Sequence, residues 1–191
     1  MTEPSLRPRY PVLTERLMLR PLGPADADAL LAYRGRADVC RYLPFEPMTQ
    51  ADVAARIEGQ WARTALTTAG QSLTLGAEVA ATGELAGDVV LFWHSAEHGA
   101  GEIGYVFEPA LSGQGYATEA ARAVLGLGFE GLGLHRIVAR LDERNTASAR
   151  LARRLGLRQE ARLVSNELFK GEWSTELVFA MLAGEWFAGR S

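Results

Sequence analysis

The 191-residue chain contains one lysine, one cysteine and no long run of apolar residues. Because Lys170 is its only lysine, the chain has no Gly-Lys-Ser/Thr segment and therefore no P-loop for nucleotide phosphates. Its single cysteine, Cys40, excludes an internal disulfide and a cysteine-rich zinc site. The first residues lack the apolar core of a secretory signal, and no stretch approaches the roughly 18 apolar residues of a membrane span. We therefore expect a cytoplasmic protein that does not enter a membrane.

The chain also lacks an excess of basic residues, since its net charge is −3 at pH 7. Charge-driven nucleic-acid binding requires a basic surface, so we expect no nucleic-acid partner. The apolar fraction of 48% and the length fit one folded domain. Residues 1–13 contain three prolines and are interpreted as a loose N-terminal arm, which leaves residues 14–191 as the domain.

The periodicity of apolar residues predicts strands mixed with helices. Thr49 is a predicted helix N-cap, and Val53, Ile57 and Trp61 share one face of the helix that follows it. Helices are predicted over about residues 25–34, 50–66, 117–127 and 145–155, and strands over about 17–22, 72–79, 85–93, 101–108, 136–141, 160–169 and 174–182. This order predicts an α+β or mixed α/β fold, with helices on the faces of a sheet.

The loop between strand 101–108 and helix 117–127 is the segment most informative about function. The first N–H groups of a helix have no partner within it, and the helix dipole adds positive potential there. Gly113 and Gly115 lack a Cβ atom, so a phosphate group can approach their main chain closely. Two interpretations stay open: a phosphate-binding loop, or simply a tight turn.

A second glycine-rich string, residues 126–131, matches the dinucleotide motif Gly-x-Gly-x-x-Gly. That motif follows a strand and opens a helix, whereas this string ends a predicted helix and precedes a strand. We interpret it as a helix C-terminus and expect no oxidoreductase that binds a nicotinamide cofactor.

Five segments of the sequence occur in an order that carries further information. They are Thr14-Glu15-Arg16-Leu17-Met18-Leu19-Arg20, Glu102-Ile103-Gly104-Tyr105, Gly113-Gln114-Gly115-Tyr116-Ala117, Asn145-Thr146-Ala147-Ser148 with Leu155-Gly156-Leu157, and Gly171-Glu172-Trp173 with Glu176-Leu177. Together they resemble the GCN5-related N-acetyltransferase (GNAT) superfamily, and within it the branch that acetylates the N-termini of ribosomal proteins. The resemblance extends over nearly the whole chain.

The resemblance implies a fold and a reaction. The fold would be a single domain with a twisted, mixed, mostly antiparallel sheet, flanked by about four helices and splayed where acetyl-coenzyme A (acetyl-CoA) enters. The reaction would be transfer of the acetyl group of acetyl-CoA to a primary amine, on a protein N-terminus or a small molecule, by direct attack in a ternary complex. A homodimer is suggested by analogy with relatives.

The resemblance also assigns cofactor contacts to positions of this chain. The main chain of Tyr105, Val106 and Phe107 would hold the pantetheine arm. The pyrophosphate would contact Gly113, Gln114, Gly115, Tyr116, Ala117 and Thr118. Asn145 would lie near the thiol, although Asn is also a good helix N-cap and both interpretations stay open.

Acetyl transfer requires a neutral amine, stabilisation of the carbonyl oxygen and a proton for the leaving thiolate. Main-chain amides of residues 105–107 could stabilise the oxygen. We predict Glu102 as the proton acceptor, directly or through a water, and Ser148 as the proton donor. The alternatives are an exposed or ion-paired carboxylate at Glu102 and a hydroxyl bonded to its own helix at Ser148.

The remaining candidate groups receive structural interpretations. Cys40 lacks an activating neighbour in the sequence and is interpreted as a packing residue. His94 and His98 lie in a turn-like stretch without an evident third ligand, so we expect no metal. The segment 44–48 is interpreted as a wall of the acceptor cleft. The alternative to an enzyme is a non-catalytic module that senses or binds an acyl-CoA, which would need neither Glu102 nor Ser148.

Overall fold

The computed structural model describes residues 4–189 as an eight-stranded sheet with helices on both faces. The strands are β1 (Val12–Leu13), β2 (Leu17–Pro21), β3 (Ser72–Val79), β4 (Leu85–Ser95), β5 (Ala100–Phe107), β6 (Arg136–Asp142), β7 (Arg158–Phe169) and β8 (Glu172–Leu182). The helices are α1 (Ala27–Arg34), α2 (Ala37–Cys40), α3 (Gln50–Glu58), α4 (Tyr116–Gly126), α5 (Thr146–Leu155) and α6 (Ala183–Ala188).

The sheet has the strand order β1-β2-β3-β4-β5-β6-β8-β7. All neighbouring strands run antiparallel except β5 and β6, which are parallel. The parallel pair is joined by a crossover that contains α4, as parallel strands require. The predicted mixed, mostly antiparallel sheet is therefore confirmed.

The sheet splays between β5 and β6, as predicted. Among the described residues, pairing joins these strands only where Ala100–Glu102 lies beside Arg136–Val138. Beyond Glu102, β5 continues to Phe107 and β6 continues to Asp142 without pairing to each other. The edge of β5 that faces β6 therefore offers main-chain N–H and C=O groups that the sheet does not use.

Side-chain alternation along the strands divides the core between the two faces. On one face, the strands pack against α4 and α5 through Leu75, Val89, Leu91, Ile137, Val124, Leu125, Leu151 and Leu155. On the other face, α1 and α3 contribute Leu30, Tyr33, Val53, Ile57 and, just beyond α3, Trp61. Burying each such side chain stabilises the fold by about 1.5–3 kcal/mol.

The helix predicted over 50–66 is shorter in the structure. It starts as predicted at the N-cap Thr49, whose hydroxyl accepts the N–H of Asp52 at 3.2 Å. It ends at Glu58 because Gly59 leaves helical geometry, with φ −108° and ψ −105°, and one 3₁₀ turn follows at Gln60–Ala62.

The other three predicted helices are present, and α2 and α6 are additions that sequence periodicity did not reveal. Both are too short, at 4 and 6 residues, to show a helical pattern of apolar residues. The glycine-rich string 126–131 lies at the end of α4 and forms a π-helical turn, Leu127–Gly131, that leads towards β6. Its interpretation as the end of a helix is confirmed.

The described part of the predicted N-terminal arm, residues 4–13, is held against the domain. Leu6 is buried, and its main chain pairs with that of Leu66 through hydrogen bonds of 2.8 and 2.9 Å. Val12–Leu13 forms β1 and pairs with β2. These contacts offset the entropy that an extended arm loses on ordering. Residues 1–3 and 190–191 of the predicted arm and domain lie outside the described residues.

Candidate active site

A cavity of about 470 Å³ opens where β5 and β6 diverge. Strands β4, β5 and β6, helix α5, the loop before α3 and the β7–β8 hairpin contribute to its walls. Five of the predicted site residues line it: Glu102, Tyr105, Val106, Asn145 and Ser148. The fold therefore brings the predicted proton acceptor on β5 and the predicted proton donor on α5 to one cavity.

Glu102 lies in the cavity wall with 23% of its side chain exposed. One carboxylate oxygen, Oε2, lies 3.0 Å from Nε2 of His94 and 3.8 Å from Nε of Arg140. Within residues 4–189 the other oxygen, Oε1, makes no hydrogen bond. The carboxylate is thus ion-paired, as the alternative interpretation expected, and also lies in the cavity as a proton acceptor must.

Tyr105 links β5 to α5 at the cavity. Its hydroxyl donates to the main-chain oxygen of Ser148 at 3.2 Å, and burial raises the pKa of Tyr105 to about 12. The phenol therefore stays protonated at neutral pH and bridges the two diverging elements. We did not anticipate this role from the sequence, which pointed only to the main chain of Tyr105.

The N-terminus of α5 places Ser148 in the cavity. Oδ1 of Asn145 accepts the N–H of Ser148 at 3.1 Å, so Asn145 caps the helix while it also lines the cavity. Within the part of the chain that the structure describes, the Ser148 hydroxyl makes no hydrogen bond. It is therefore not committed to its own helix backbone, which was the alternative interpretation.

The predicted pyrophosphate loop lies outside the cavity, at the start of α4. Gly115 is the N-cap of α4 with φ +85°, and among residues 4–189 no side chain caps this helix. A Cβ atom at Gly113, where φ is +83°, would meet nothing within 4 Å. Uncapped N–H groups beside open glycine main chain fit a diphosphate group. The predicted cofactor residues thus form a path from the cavity along β5 to α4, with Phe107 at the end of the strand.

Arg16 was part of the resemblance but received no role from it. Its Nη1 donates to the main-chain oxygen of Gln114 at 2.8 Å, and its Nε donates to Oε2 of Glu119 at 2.8 Å. Its guanidinium also lies 5.0 Å from the ring centre of Tyr116. Burial acts to raise the pKa of Glu119, but hydrogen bonds from Thr14 and Arg16 lower it overall. Arg16 therefore fixes the loop from the turn between β1 and β2, about 100 residues away in the sequence.

A buried ion pair closes one end of the cavity. Arg34 and Asp88 are 5% and 0% exposed, and they form a salt bridge to which the Tyr33 hydroxyl adds a hydrogen bond of 2.7 Å. The Arg34 guanidinium lies 4.8 Å from the ring of Trp61 and 5.2 Å from the ring of Phe45. Removing one partner of such a pair costs about 3–5 kcal/mol, because it leaves an uncompensated charge buried in the wall. No sequence motif indicated it.

The single lysine fastens two parts of the cavity wall to each other. Lys170, in the turn between β7 and β8, donates from Nζ to the main-chain oxygens of Cys40 at 2.8 Å and Phe45 at 2.9 Å. Of the segment 44–48 predicted to form a wall, Pro44 and Phe45 line the cavity, whereas Glu46 and Pro47 line a second pocket. The β7–β8 hairpin is thereby fastened to the loop that forms the opposite wall.

Replacing Lys170 by Met is expected to lower the free energy of unfolding by about 1–3 kcal/mol, since hydrogen bonds from a charged donor contribute in that range. The apolar stem is kept, so the change isolates the two donors. Urea denaturation measures the effect, and Lys170→Arg, which keeps a cation, is the matched control. An unchanged urea midpoint for Lys170→Met would contradict this role.

Cys40 is a packing residue, as predicted. It is fully buried, its Sγ donates to the main-chain oxygen of Arg34 at 3.1 Å, and burial raises the pKa of its thiol. Within residues 4–189, no cluster of three His, Cys, Asp or Glu side chains is placed to hold a metal ion. In the same range, none of the helices has the length and apolar character needed to span a membrane.

Comparisons with known proteins agree with this architecture. The model of the acetyltransferase (GNAT) domain matches residues 16–158. The uncharacterised N-acetyltransferase YnaD of Bacillus subtilis is 31% identical over 177 residues, which cover 92% of this chain and 98% of that protein. A GNAT-family acetyltransferase structure from Bacillus anthracis has 31% identity and a TM-score of 0.81, and the match covers 91% of this chain and 98% of that one. The spermidine N(1)-acetyltransferase of Escherichia coli K12 is 26% identical over 106 residues, 56% of this chain and 57% of that protein.

The family model spans most of the chain, including β5, the loop before α4 and α5, which contain the predicted site residues. Relatives at 31% identity extend the likeness to nearly the full length of the chain. The separation of the parallel strands β5 and β6 is the structural feature that the sequence resemblance implied. The chain belongs to the GNAT family of acetyl-CoA-dependent N-acetyltransferases.

Proposed function

We propose that the protein transfers the acetyl group of acetyl-CoA to a primary amine by direct attack of the amine in a ternary complex. The observation that carries this proposal is the cavity at the splay. It holds Glu102 and Ser148 beside main-chain groups of β5 that the sheet leaves unpaired. The amine, the thioester and two proton-transfer groups can meet in such a site, so the acetyl group need not pass through the enzyme. The buried Cys40 is not placed to carry it.

Acetyl-CoA would lie along β5 and reach the start of α4. The main chain of Tyr105, Val106 and Phe107 would pair with the amide groups of the pantetheine arm, as a further strand would. The N-terminus of α4, with residues 113–118, would bind the pyrophosphate through main-chain N–H groups. The bound thioester supplies the activated acetyl group. Holding it beside the amine supplies up to roughly 7–11 kcal/mol of the barrier reduction.

Three groups of this chain would handle charge during transfer. Main-chain N–H groups of β5 beyond Glu102 would stabilise the carbonyl oxygen. Glu102 would take a proton from the amine, because only the neutral amine has a lone pair for attack. Ser148 would give its hydroxyl proton to the departing sulfur and regain a proton from the amine nitrogen, which loses its second proton as the amide forms. Asn145 caps the helix that carries Ser148 and would keep it in place for this step.

The charge of the cavity favours an amine acceptor that arrives as a cation. Its walls contain five carboxylates, Asp88, Glu102, Asp142, Glu167 and Glu176, and three guanidinium groups, Arg34, Arg56 and Arg140. The aromatic side chains Tyr42, Phe45, Phe92 and Phe169 also line it. Carboxylates attract ammonium groups, and aromatic faces bind them. Protein N-termini and small amines both fit this chemistry, and one relative is named for spermidine.

The proposed function is tested by calorimetric titration with acetyl-CoA, followed by a thiol-release assay. The acceptors are spermidine and a short peptide with a free N-terminus. We expect acetyl-CoA to bind and thiol release to depend on an acceptor. Binding without acceptor-dependent release would favour the non-catalytic acyl-CoA module instead.

Replacing Ser148 by Ala is expected to lower kcat by tenfold or more while the affinity for acetyl-CoA is kept, since acid–base groups contribute as much as about 10²–10⁴-fold. Alanine is a better helix former than serine, so a loss cannot come from a weakened α5. Thr146→Ala, which removes an exposed hydroxyl from the same first turn, is the matched control. Equal kcat for the Ser148 variant and the control would remove Ser148 from the mechanism.

A further inference from the structure

His94 connects the predicted proton acceptor to solvent. Phe92 lies directly opposite Glu102 in the β4–β5 ladder, and His94 follows two residues later at an irregularity in this pairing. Phe92 and Glu102 line the cavity. The His94 ring stacks on Phe92, with ring centres 6.1 Å apart and planes 5° apart, and its side chain is 51% exposed. The imidazole thus contacts Glu102 at one end and water at the other.

The proposed reaction needs a path of this kind. Transfer of an acetyl group from a thioester to a protonated amine yields an amide, a thiol and one net proton. Glu102 can act in every turnover only if it loses the proton it has taken. In the ternary complex the acceptor and the pantetheine arm fill the cavity, so the proton needs an exit that does not cross it.

We propose that His94 is the group that takes this proton from Glu102 and releases it to solvent. This inference rests on the proposed function. The amine proton binds to Oε1 of Glu102, and rotation of the carboxyl group brings it opposite Nε2 of His94. While Glu102 is ionised, Nε2 carries the ring proton and donates it to Oε2. Once Glu102 is protonated, proton exchange with water moves the ring proton to Nδ1, and the Nε2 lone pair then binds the carboxyl proton, which restores the carboxylate and gives an imidazolium. The imidazolium loses the proton on Nδ1 to water, so the ring returns to its starting tautomer and one proton has been released.

The other charged groups around the pair are unsuited to this step. Arg140 of β6 lies 3.8 Å from the same carboxylate oxygen, but a guanidinium keeps its charge and accepts no proton. Glu176 of β8 lies 3.4 Å from Arg140 and would have to release a proton from inside the cavity. On the β3 side, Ser72 and Thr74 lie opposite Phe92 and Val90 and do not titrate in this range.

The remaining titratable groups lie further from Glu102. Arg56 of α3 lines the cavity as a permanent cation, and His98 lies in the turn after β4 without a contact to Glu102 within the described residues. Imidazole is the side chain that gains and loses a proton most readily near neutral pH. His94 is therefore the group whose position and chemistry both suit the exit.

Chemical rescue tests the inference directly. We expect His94→Ala to lower kcat by about tenfold or more at neutral pH, with little change in the affinity for acetyl-CoA or in the KM of the acceptor. The acceptor is spermidine or the N-terminal peptide, whichever the unmodified enzyme acetylates faster. Added imidazole, which can occupy the space left by the ring, should restore kcat in proportion to its concentration. His98→Ala is the matched control and should respond to neither change.

The outcomes separate this inference from the proposed function. A His94→Ala enzyme with unchanged kcat and pH profile overturns it. The inference is also overturned if kcat falls, the circular dichroism spectrum is unchanged and imidazole does not restore kcat. That result would mean that His94 only stacks on Phe92 or orients Glu102. Glu102→Gln is measured beside it. If Glu102→Gln keeps full activity, Glu102 is not the proton acceptor. If Glu102→Gln is inactive while His94→Ala is fully active, the proposed function stands and only the role of His94 in proton release is excluded.

Discussion

Replacing Glu102 by glutamine is expected to lower kcat/KM by about 10²-fold or more at neutral pH, since a positioned proton acceptor contributes about 10²–10⁴-fold. Glutamine keeps the shape of the side chain and its place in β5, so the sheet should be unaffected. The remaining activity should rise with pH, because at higher pH a larger fraction of the free amine is neutral before it binds. A pH series of kcat/KM with one acceptor measures both effects.

The matched control is Glu176→Gln, which removes one negative charge from the same cavity and contacts the same Arg140. We expect it to weaken acceptor binding and leave the form of the pH profile unchanged. If both variants lose the same activity and have the same pH profile, Glu102 contributes only a negative charge to the cavity and does not transfer a proton. An unaltered rate for Glu102→Gln would exclude it from proton transfer altogether.

Replacing Gly115 by valine is expected to reduce the affinity for coenzyme A by at least tenfold. At φ +85° a β-branched residue is strained by about 1–2 kcal/mol, and its Cβ would lie 3.3 Å from Nη2 of Arg16. The side chain would also cover the main-chain N–H groups at the start of α4. Calorimetric titration with coenzyme A measures the affinity without the need for any acceptor.

Gly83→Val supplies the matched control for backbone strain. Gly83 has φ +73° in the turn between β3 and β4, and a Cβ there meets nothing within 4 Å. Both variants should lose similar stability, but only Gly115→Val should lose affinity. Full affinity in Gly115→Val would falsify the placement of the diphosphate at this helix start, and with it the proposed cofactor path.

The local features of the site were readable from the sequence because each depends on nearby residues. Gly113 and Gly115 before an amphipathic helix predicted either a phosphate-binding loop or a tight turn, and the structure shows that both glycines have positive φ. Asn145 predicted the N-cap of α5. The alternation of apolar residues predicted β5, and the strand order predicted a mixed sheet. The end of α3 at Gly59 was missed, since a glycine can be tolerated within a helix or can end it.

The residues that the sequence did not reveal act across long separations. Arg16 reaches the loop before α4, Lys170 holds the loop between α2 and α3, and Arg34 pairs with Asp88, each across 54 residues or more. The described residues of the predicted loose arm are likewise fastened by Leu66, far along the chain. Such pairs leave no periodic pattern, because any of 19 arginines could in principle face any of 23 acidic residues.

By itself, the sequence determined most of the helices and strands and the family, and it pointed to the loop that we propose for the diphosphate, because helix caps, turns and strand patterns are set by neighbours along the chain. Only the tertiary structure decided that β5 and β6 part after Glu102, that Ser148 shares a cavity with this carboxylate, and that His94 lies 3.0 Å from it. These depend on strand register and on how helices pack across the sheet. Both are set by the summed burial of side chains that are far apart in the sequence.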